Sequence, residues 1–348
     1  MKKFLALLLA GAMSLSLVAC GGATAPKTSG EGDEKSSEET GKYKVAMICD
    51  SSIADGGWGQ ACYNAMLDAA EKNGWETAYT DAISQDAYYD TIISYCALGY
   101  NLIYAPGNQY SDAVLQAAEE YPDIAFALLN GAATTPEKAA NKNVTSMLPD
   151  AQQIGWIAGA LAGLMTETNT IAFIGGMELD TTLNKYKGYK EAAEFVGKAE
   201  GKEVKALDPV YAGSFSASDK GIEFAKTFIS QKADVFFGDA SAVDSGARQA
   251  IDEENKALGE IKIFDIAQPS DFLGQNECII GSQVTDNSQM ISLCMEAVAN
   301  GTFGGEVIFG TLQNGALSAG KLNDIIPKDK QEKYMSYIDE MVNETFMK

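Results

Sequence analysis

Short apolar runs alternate with helical runs along residues 43–348, and this alternation constrains the fold more than any other feature. The apolar runs are continuous, which is typical of strands that are covered on both faces. Strands that alternate with helices predict a parallel sheet with helices on both sides. The pattern runs from a first strand at Tyr43–Cys49 to Asn143–Leu148 and starts again at Thr170–Ile174. A unit that occurs twice predicts two similar α/β lobes.

The chain is expected to cross between the lobes more than once, as in binding proteins that close about a hinge. We assign residues 43–149 and about 268–302 to the first lobe. Residues of about 150–267 and 303–348 form the predicted second lobe. Small residues on the helix predicted over Asp150–Met165 allow a neighbouring helix to approach closely: Gly155, Ala158, Gly159, Ala162 and Gly163.

The N-terminus has the organisation of a secretory signal in residues 1–19, with two lysines followed by an apolar run. Leu17-Val18-Ala19-Cys20 resembles the bacterial lipobox, which makes Cys20 the expected site of lipidation, for example by palmitate. A plain signal peptide with a chance cysteine is the alternative. Residues 20–42 are rich in Gly, Ser, Thr, Glu and Lys, which predicts a flexible linker after the lipidated cysteine. No later segment is apolar enough to span a bilayer, so we expect a lipid anchor at the extracytoplasmic face of the cell membrane.

Charge and composition narrow the possible functions. The formal net charge of −22 argues against nucleic acid as a partner, because a phosphate backbone requires a basic surface. The chain has no histidine, which removes Ser-His-Asp and Cys-His catalysis and the usual zinc ligand sets. We therefore expect no enzyme, no cofactor and no metal, although a hydrolase with paired carboxylates is formally possible. Five cysteines remain after lipidation and are expected to be free buried thiols: Cys49, Cys62, Cys96, Cys278 and Cys294.

The stretch Asp55-Gly56-Gly57-Trp58-Gly59-Gln60 joins the first strand to the first helix. Such loops lie at the carboxyl ends of parallel strands, where ligands bind. Its glycines let the backbone approach a ligand, and Trp58 could offer a flat face to a planar one. Alternatively Trp58 packs in the core beside the helix. A dinucleotide fingerprint is a weaker option, since Cys62 stands where its third glycine belongs.

Gly213-Ser214-Phe215-Ser216 is the counterpart of this loop in the second lobe. Phe215 and Trp58 could clamp a planar ring between the lobes, although Phe215 could instead be a core anchor. Carboxylates, amides and a hydroxyl are predicted at other strand ends and suit ribose hydroxyls and base edges. With the residues of the Trp58 loop, the expected ligand-binding set is Asp50, Asp55, Trp58, Gly59, Gln60, Gln109, Asn130, Phe215, Asp239, Gln268 and Ser282.

Six short motifs follow one another along the chain: Asp55–Gln60, Leu98–Ala105, Ala117–Asp123 with Phe126, Gly155–Leu164 followed by Ile171–Gly176, Val210–Phe215 and Ala233–Val235. Together they resemble the basic membrane protein family of lipoproteins, which are substrate-binding subunits of ABC importers and mostly take up purine nucleosides. The resemblance covers nearly the whole chain from Tyr43 onward. It implies a fold like the type I periplasmic binding proteins, with two doubly wound parallel-sheet lobes joined by a hinge.

In that family two aromatic rings sandwich the base, and by position these are Trp58 and Phe215. The chain departs from the family pattern at Gly59, Asn130 and Ala267-Gln268, and the family's lysine near Asp286 is not found. Polar contacts to base and ribose are therefore rearranged. A free nucleobase or another planar heterocycle fits the sequence as well as a nucleoside does.

The sequence thus predicts a monomeric, lipid-anchored binding protein that delivers a small planar ligand, a purine nucleoside or base, to an ABC permease. A sugar or autoinducer binder of the same fold is the alternative. A surface sensor without a transport role is a further one.

Overall fold

The computed structural model describes residues 43–54, 57–131, 142–305 and 307–348. The predicted signal peptide, Cys20, the linker and Asp55 lie outside the described residues. No helix of the described part is both long and apolar enough to cross a membrane.

Two sets of elements make up the described chain. The strands are β1 (Lys44–Ile48), β2 (Glu76–Thr80), β3 (Leu102–Ala105), β4 (Ala125–Leu129), β5 (Val144–Pro149), β6 (Thr170–Gly175), β7 (Lys205–Ala206), β8 (Val210–Tyr211), β9 (Val235–Asp239), β10 (Phe264–Ala267), β11 (Ile279–Thr285), β12 (Val307–Gly310) and β13 (Leu317–Ala319). The α-helices are α1 (Trp58–Asn73), α2 (Tyr88–Ala97), α3 (Ser111–Glu120), α4 (Ala151–Met165), α5 (Asp180–Ala199), α6 (Ser218–Ser230), α7 (Ala242–Leu258), α8 (Asn287–Ala299) and α9 (Lys328–Val342).

The first lobe is built on a parallel sheet with the order β12-β5-β4-β3-β1-β2. Alternate residues of β1 enter opposite cores: Val45 and Met47 pack with α1 and α8, whereas Ala46 and Ile48 pack with α2 and α3. Both faces of the strand are therefore buried, which is why its sequence is apolar throughout.

The second lobe repeats this arrangement, with the order β13-β11-β10-β9-β6-β7 and an antiparallel edge strand β13. The sequence predicts one strand over Val204–Ala212, but the structure has two short strands that both pair with β6. Pro209 lies between them and has no N–H to donate to a ladder, which interrupts the strand.

The two α/β lobes confirm the predicted fold class, but the C-terminal third divides differently from the expected boundaries. We expected residues of about 268–302 in the first lobe, yet β11 pairs with β10 in the second sheet. Strand β12, expected in the second lobe, pairs with β5 in the first sheet. Chain order alone does not show which sheet β12 joins, because its partner β5 lies far earlier in the chain.

Within the described ranges, three crossings connect the lobes: β5 to α4 through Asp150, β11 to α8 through Asp286, and β12 to β13 through residues 311–316. The crossings are hydrogen-bonded to one another, since the Asp150 N–H donates to the Gly310 carbonyl at 2.8 Å and the Asp286 N–H to that of Ala316 at 2.7 Å. The carboxylates of Asp150 and Asp286 also cap the helices that follow. The crossings therefore form a compact hinge.

Helices α4 and α5 of the second lobe pack at unusually short range, as the small residues of α4 predict. A β-carbon built on Gly155 would lie 2.2 Å from the Lys185 carbonyl oxygen, and one on Gly159 would lie 2.2 Å from that of Tyr189. Only glycine permits this approach. The contact fixes the backbone of α5 at Lys185, which lies in the candidate site described below.

Candidate functional site

The carboxyl edges of the two parallel sheets border the same hinge. The chain leaves β5, β11 and β12 at their carboxyl ends and crosses directly to the other lobe. The loops after β1, β3 and β4 therefore lie at the hinge edge of the first sheet, and the loops after β6, β8, β9 and β10 lie at the hinge edge of the second. We call the space between these two edges the interlobe cleft. In open α/β sheets, ligands bind at this edge.

Asp50 follows β1, and two neighbouring side chains hold its carboxylate. Its Oδ2 accepts hydrogen bonds from the Tyr88 hydroxyl at 3.0 Å and from Gln109 Nε2 at 2.9 Å, and its N–H donates to the Tyr110 hydroxyl at 2.7 Å. Burial, followed by the charge and hydrogen bond of Asp50, raises the pKa of Tyr88 to about 12. The Tyr88 hydroxyl thus stays protonated and holds the exposed carboxylate of Asp50 as a hydrogen-bond acceptor.

Trp58 begins α1 at the same edge of the sheet. Its indole Nε1–H donates to the Pro106 carbonyl at 2.8 Å, just after β3, and the half-buried ring packs partly against the first-lobe core. Trp58 thus contacts the core, as the alternative interpretation expects, and is also partly exposed. The hydrogen bond fixes the orientation of the ring.

The remaining first-lobe candidates lie around this edge. Gly59 is buried and Gln60 is exposed on the first turn of α1. Asn130 follows β4 with a φ of 59°, in the left-handed region that asparagine tolerates better than most residues. The structure brings Gln109 into direct contact with Asp50, and it places Asn130 two strands away from β1 in the sheet.

Phe215 lies on the loop after β8 in the second lobe. A β-carbon on Gly176 would lie 2.3 Å from its ring, so the ring lies directly against the glycine that follows β6. The Phe215 residue is 37% exposed, which argues against the reading that it is a core anchor. Like Trp58, it is a partly exposed aromatic side chain held at a strand-end loop.

Asp239 and Gln268 meet in the second lobe, and the structure adds a lysine to them. Lys185 Nζ lies 2.8 Å from Asp239 Oδ1 and 3.0 Å from Gln268 Oε1. The Thr182 hydroxyl donates to Asp239 Oδ2 at 2.7 Å, and Gln268 Nε2 donates to the Gly238 carbonyl. Sequence reasoning misses Lys185 because it lies on α5 and not at a strand end. One signal could have led to it: the predicted site contained carboxylates and no cation.

Ser282 does not belong to this site. It lies in the middle of β11, three residues before the strand ends, and it is only 2% exposed. Its hydroxyl accepts a hydrogen bond from the Phe272 N–H at 3.1 Å, which ties the loop after β10 to the strand. The expectation of a strand-end position was wrong, because the strand continues to Thr285.

Two buried acids lie beneath the strand ends of the second lobe. Asp244 accepts a hydrogen bond from the Ala240 N–H at 2.9 Å, and Arg248 Nε lies 2.7 Å from Asp265 Oδ2. Burial raises the pKa of Asp244 to about 7, against the opposing effect of Arg248. Burial likewise raises the pKa of Asp265. Asp244 thus supports the backbone at Ala240, next to Asp239.

The five predicted thiols are buried, and none of them takes part in a disulfide. No group of three or more Cys, Asp or Glu side chains within the described ranges is arranged to hold a metal ion. The candidate site brings together aromatic faces and hydrogen-bonding side chains, which suit reversible binding of an organic molecule.

A family model described as "ABC transporter substrate-binding protein PnrA-like" matches residues 42–347. The chain belongs to this family, named Bmp. It is a substrate-binding protein of the ABC transporter family, which binds a small solute outside the cytoplasm and implies a permease as its partner. Members of the family are binding proteins and not enzymes.

Curated relatives align over most of their length. The chain is 25% identical over 312 residues to the "ABC transporter nucleoside-binding protein BmpA" of Lactococcus lactis, covering 83% of this chain and 86% of that protein. It is 27% identical over 378 residues to an "Uncharacterized lipoprotein" of Pyrococcus abyssi, covering 98% and 88%.

Solved structures show the same fold. A transcriptional activator of the comK gene from Bacillus halodurans superposes with a TM-score of 0.72 at 20% identity, covering 86% of this chain and 97% of that one. An ABC transporter solute-binding protein from Conexibacter woesei superposes with a TM-score of 0.69 at 18% identity, covering 88% and 98%. The fold is thus that of the type I-like periplasmic solute-binding proteins.

Proposed function

We propose that this protein binds a purine nucleoside or nucleobase between its lobes and delivers it to an ABC permease. The observation that carries the proposal is the pair of aromatic side chains at the facing sheet edges. Trp58 is fixed by its hydrogen bond to Pro106, and Phe215 lies on Gly176. Stacking on an aromatic side chain contributes about 1–3 kcal/mol per base and tolerates many planar rings.

The polar groups favour an uncharged ligand. In the first lobe, Asp50 offers a carboxylate as a hydrogen-bond acceptor. The second lobe offers the Gln268 amide, the Thr182 hydroxyl and the Lys185 ammonium. Asp239 balances the charge of this ammonium. Ribose hydroxyls and base edges can donate to and accept from these groups. A phosphate would meet the repulsion of Asp50 in a chain that carries 22 net negative charges, so a nucleotide fits poorly.

A panel of ligands tests this proposal. Purified protein is heated with inosine, guanosine, adenosine, hypoxanthine, ribose or glucose, and calorimetry then measures the affinities of those that stabilise it. A ligand present at 100 times its dissociation constant adds about 2.7 kcal/mol to the free energy of unfolding. We expect at least one purine to stabilise the protein and the free sugars to have no effect. Stabilisation by a sugar alone would instead support the sugar-binding alternative.

We further propose that the protein is anchored by a lipid on Cys20. The lipobox-like sequence before Cys20 supports this, as does the lipoprotein name of the Pyrococcus relative. Metabolic labelling with a fatty acid and membrane fractionation test it. Cys20→Ser should abolish the label and release the protein from the membrane, whereas Cys96→Ser should change neither. A labelled, membrane-bound Cys20→Ser protein would contradict the anchor.

A further inference from the structure

Lys185 is placed as a hydrogen-bond donor at the second-lobe face of the cleft. Its ammonium has three hydrogens. Two are directed to Asp239 Oδ1 and Gln268 Oε1, at 2.8 and 3.0 Å. The third has no protein acceptor among the described residues. The side chain is 15% exposed, so the ammonium is largely shielded and still reachable.

The neighbours of Lys185 orient it and balance its charge. Asp239 accepts from Lys185 through Oδ1 and from Thr182 through Oδ2, so both carboxylate oxygens are engaged within the cluster. Gln268 accepts from Lys185 and donates to the Gly238 carbonyl. The charges of Lys185 and Asp239 therefore nearly cancel within the cluster. Lys185 can still donate a hydrogen bond to a ligand.

The backbone of α5 holds this donor in place. The carbonyl of Lys185 lies so close to Gly155 of α4 that a β-carbon there would be 2.2 Å away. Gly188, one turn further along α5, lies equally close to the Gln152 carbonyl. A donor on a helix fixed in this way loses little conformational freedom when it binds a ligand.

The first lobe presents the opposite polarity. Asp50 is exposed, and its neighbours Tyr88 and Gln109 donate to it without balancing its charge. A ligand that touches both lobes must therefore offer a donor to Asp50 and an acceptor to the second lobe.

We propose that Lys185 determines specificity by donating a hydrogen bond to an uncharged acceptor of the ligand, either the 6-oxo group of the base or an oxygen of the ribose. This inference rests on the proposed purine-binding function. It assigns to Lys185 a role that the strand-end residues alone do not fill.

The test compares ligand selectivity in wild-type protein, Lys185→Met and Lys187→Met. Lys187 is a matched control on the same helix, with a side chain that is 60% exposed and forms a salt bridge with Glu191. The probes are inosine, purine riboside (which lacks the 6-oxo group), 2′-deoxyinosine and hypoxanthine, with dissociation constants measured by calorimetry.

In Lys185→Met we expect inosine to bind more weakly by a factor of about ten or greater, because the hydrogen bond from the charged lysine to the ligand is lost. For one of the three analogues, the ratio of its dissociation constant to that of inosine should fall towards one. Purine riboside would identify the acceptor as the 6-oxo group, 2′-deoxyinosine as the 2′-hydroxyl, and hypoxanthine as the remainder of the ribose. The proposal would be overturned if Lys185→Met keeps the wild-type preference for inosine over all three analogues. This includes the case in which all affinities are unchanged and the case in which all fall by the same factor.

Lys185→Met leaves Asp239 without its cation, so a second variant guards against misfolding. In Lys185→Met/Asp239→Asn both charges are absent, and the loss of selectivity should be the same. If wild-type protein binds neither these probes nor guanosine and adenosine, the proposed function fails and this inference fails with it. If wild-type protein binds purines and both variants keep its selectivity, only this inference is overturned.

Discussion

Each lobe places an aspartate at the carboxyl end of a parallel strand, but the surroundings of the two differ. Asp50 accepts hydrogen bonds from a tyrosine hydroxyl and an amide, has no salt-bridge partner among the described residues, and is exposed. Asp239 is half-buried beside the Lys185 ammonium. The first carboxylate can accept directly from a ligand, whereas the second serves mainly to position a cation. The same residue type at similar positions thus produces opposite polarity on the two sides of the cleft.

The largest expected effect concerns the close helix contact behind Lys185. Gly155→Ala should lower the free energy of unfolding by about 3 kcal/mol, because the new β-carbon would overlap the α5 backbone. Gly74 of the first lobe has open space around it and a φ of 72°, so Gly74→Ala should cost only about 1 kcal/mol of backbone strain. Denaturant unfolding measures both, and equal costs would show that the α4–α5 contact is less tight than described.

The second prediction is a pH dependence that belongs to the second lobe. The pKa of Asp244 is about 7 in the folded protein and near 4 when unfolded, so between these values the folded state binds more protons. Stability should therefore fall as pH rises from 5 to 7, by about 2–3 kcal/mol from this group, and then level off. Asp244 faces Arg248, Asp265 and Asp239, all of which remain in Asp244→Asn.

Denaturant unfolding from pH 5 to 8 measures this dependence. The difference between wild type and Asp244→Asn isolates Asp244, and parallel curves would contradict the prediction.

Much of this comparison is predictable from the sequence, and part of it is not. Continuous apolar strands and the small residues of α4 predict the two lobes and the α4–α5 contact. Strand ends predict Asp50 and Asp239, because position in a βα unit fixes the edge of the sheet. Lys185 could not be predicted, since its partners are 54 and 83 residues away in sequence. Ser282 was misplaced because the end of its strand is set by pairing with β13.

Neutralising each aspartate sharpens the comparison between the lobes. Asp239→Asn leaves the mostly buried Lys185 ammonium without a carboxylate partner. The free energy of unfolding should therefore fall by about 1–2 kcal/mol. Asp50→Asn removes an exposed carboxylate, so stability should change little while purine affinity falls. Thermal unfolding and calorimetric titration of both variants measure the two properties, and equal stability losses would remove the distinction between the sites.

The smallest expected effect concerns the support of Asp50. Tyr88→Phe removes one hydrogen bond to the carboxylate and should weaken purine binding by about 0.5–1.5 kcal/mol. Tyr89→Phe is a suitable control, because the Tyr89 hydroxyl donates to Glu120 instead. If titration gives the same affinity for Tyr88→Phe and for the control, the hydroxyl does not position Asp50 for binding.

The most direct test of a shared ligand site is the titration of the tightest-binding purine into Trp58→Ala and Phe215→Ala. The two rings belong to different lobes, so only a ligand between the lobes can depend on both. Each variant should bind about five- to 150-fold more weakly, which corresponds to about 1–3 kcal/mol of lost stacking. If either variant keeps its affinity within about twofold of wild type, the two lobes do not grip one planar ligand between these rings.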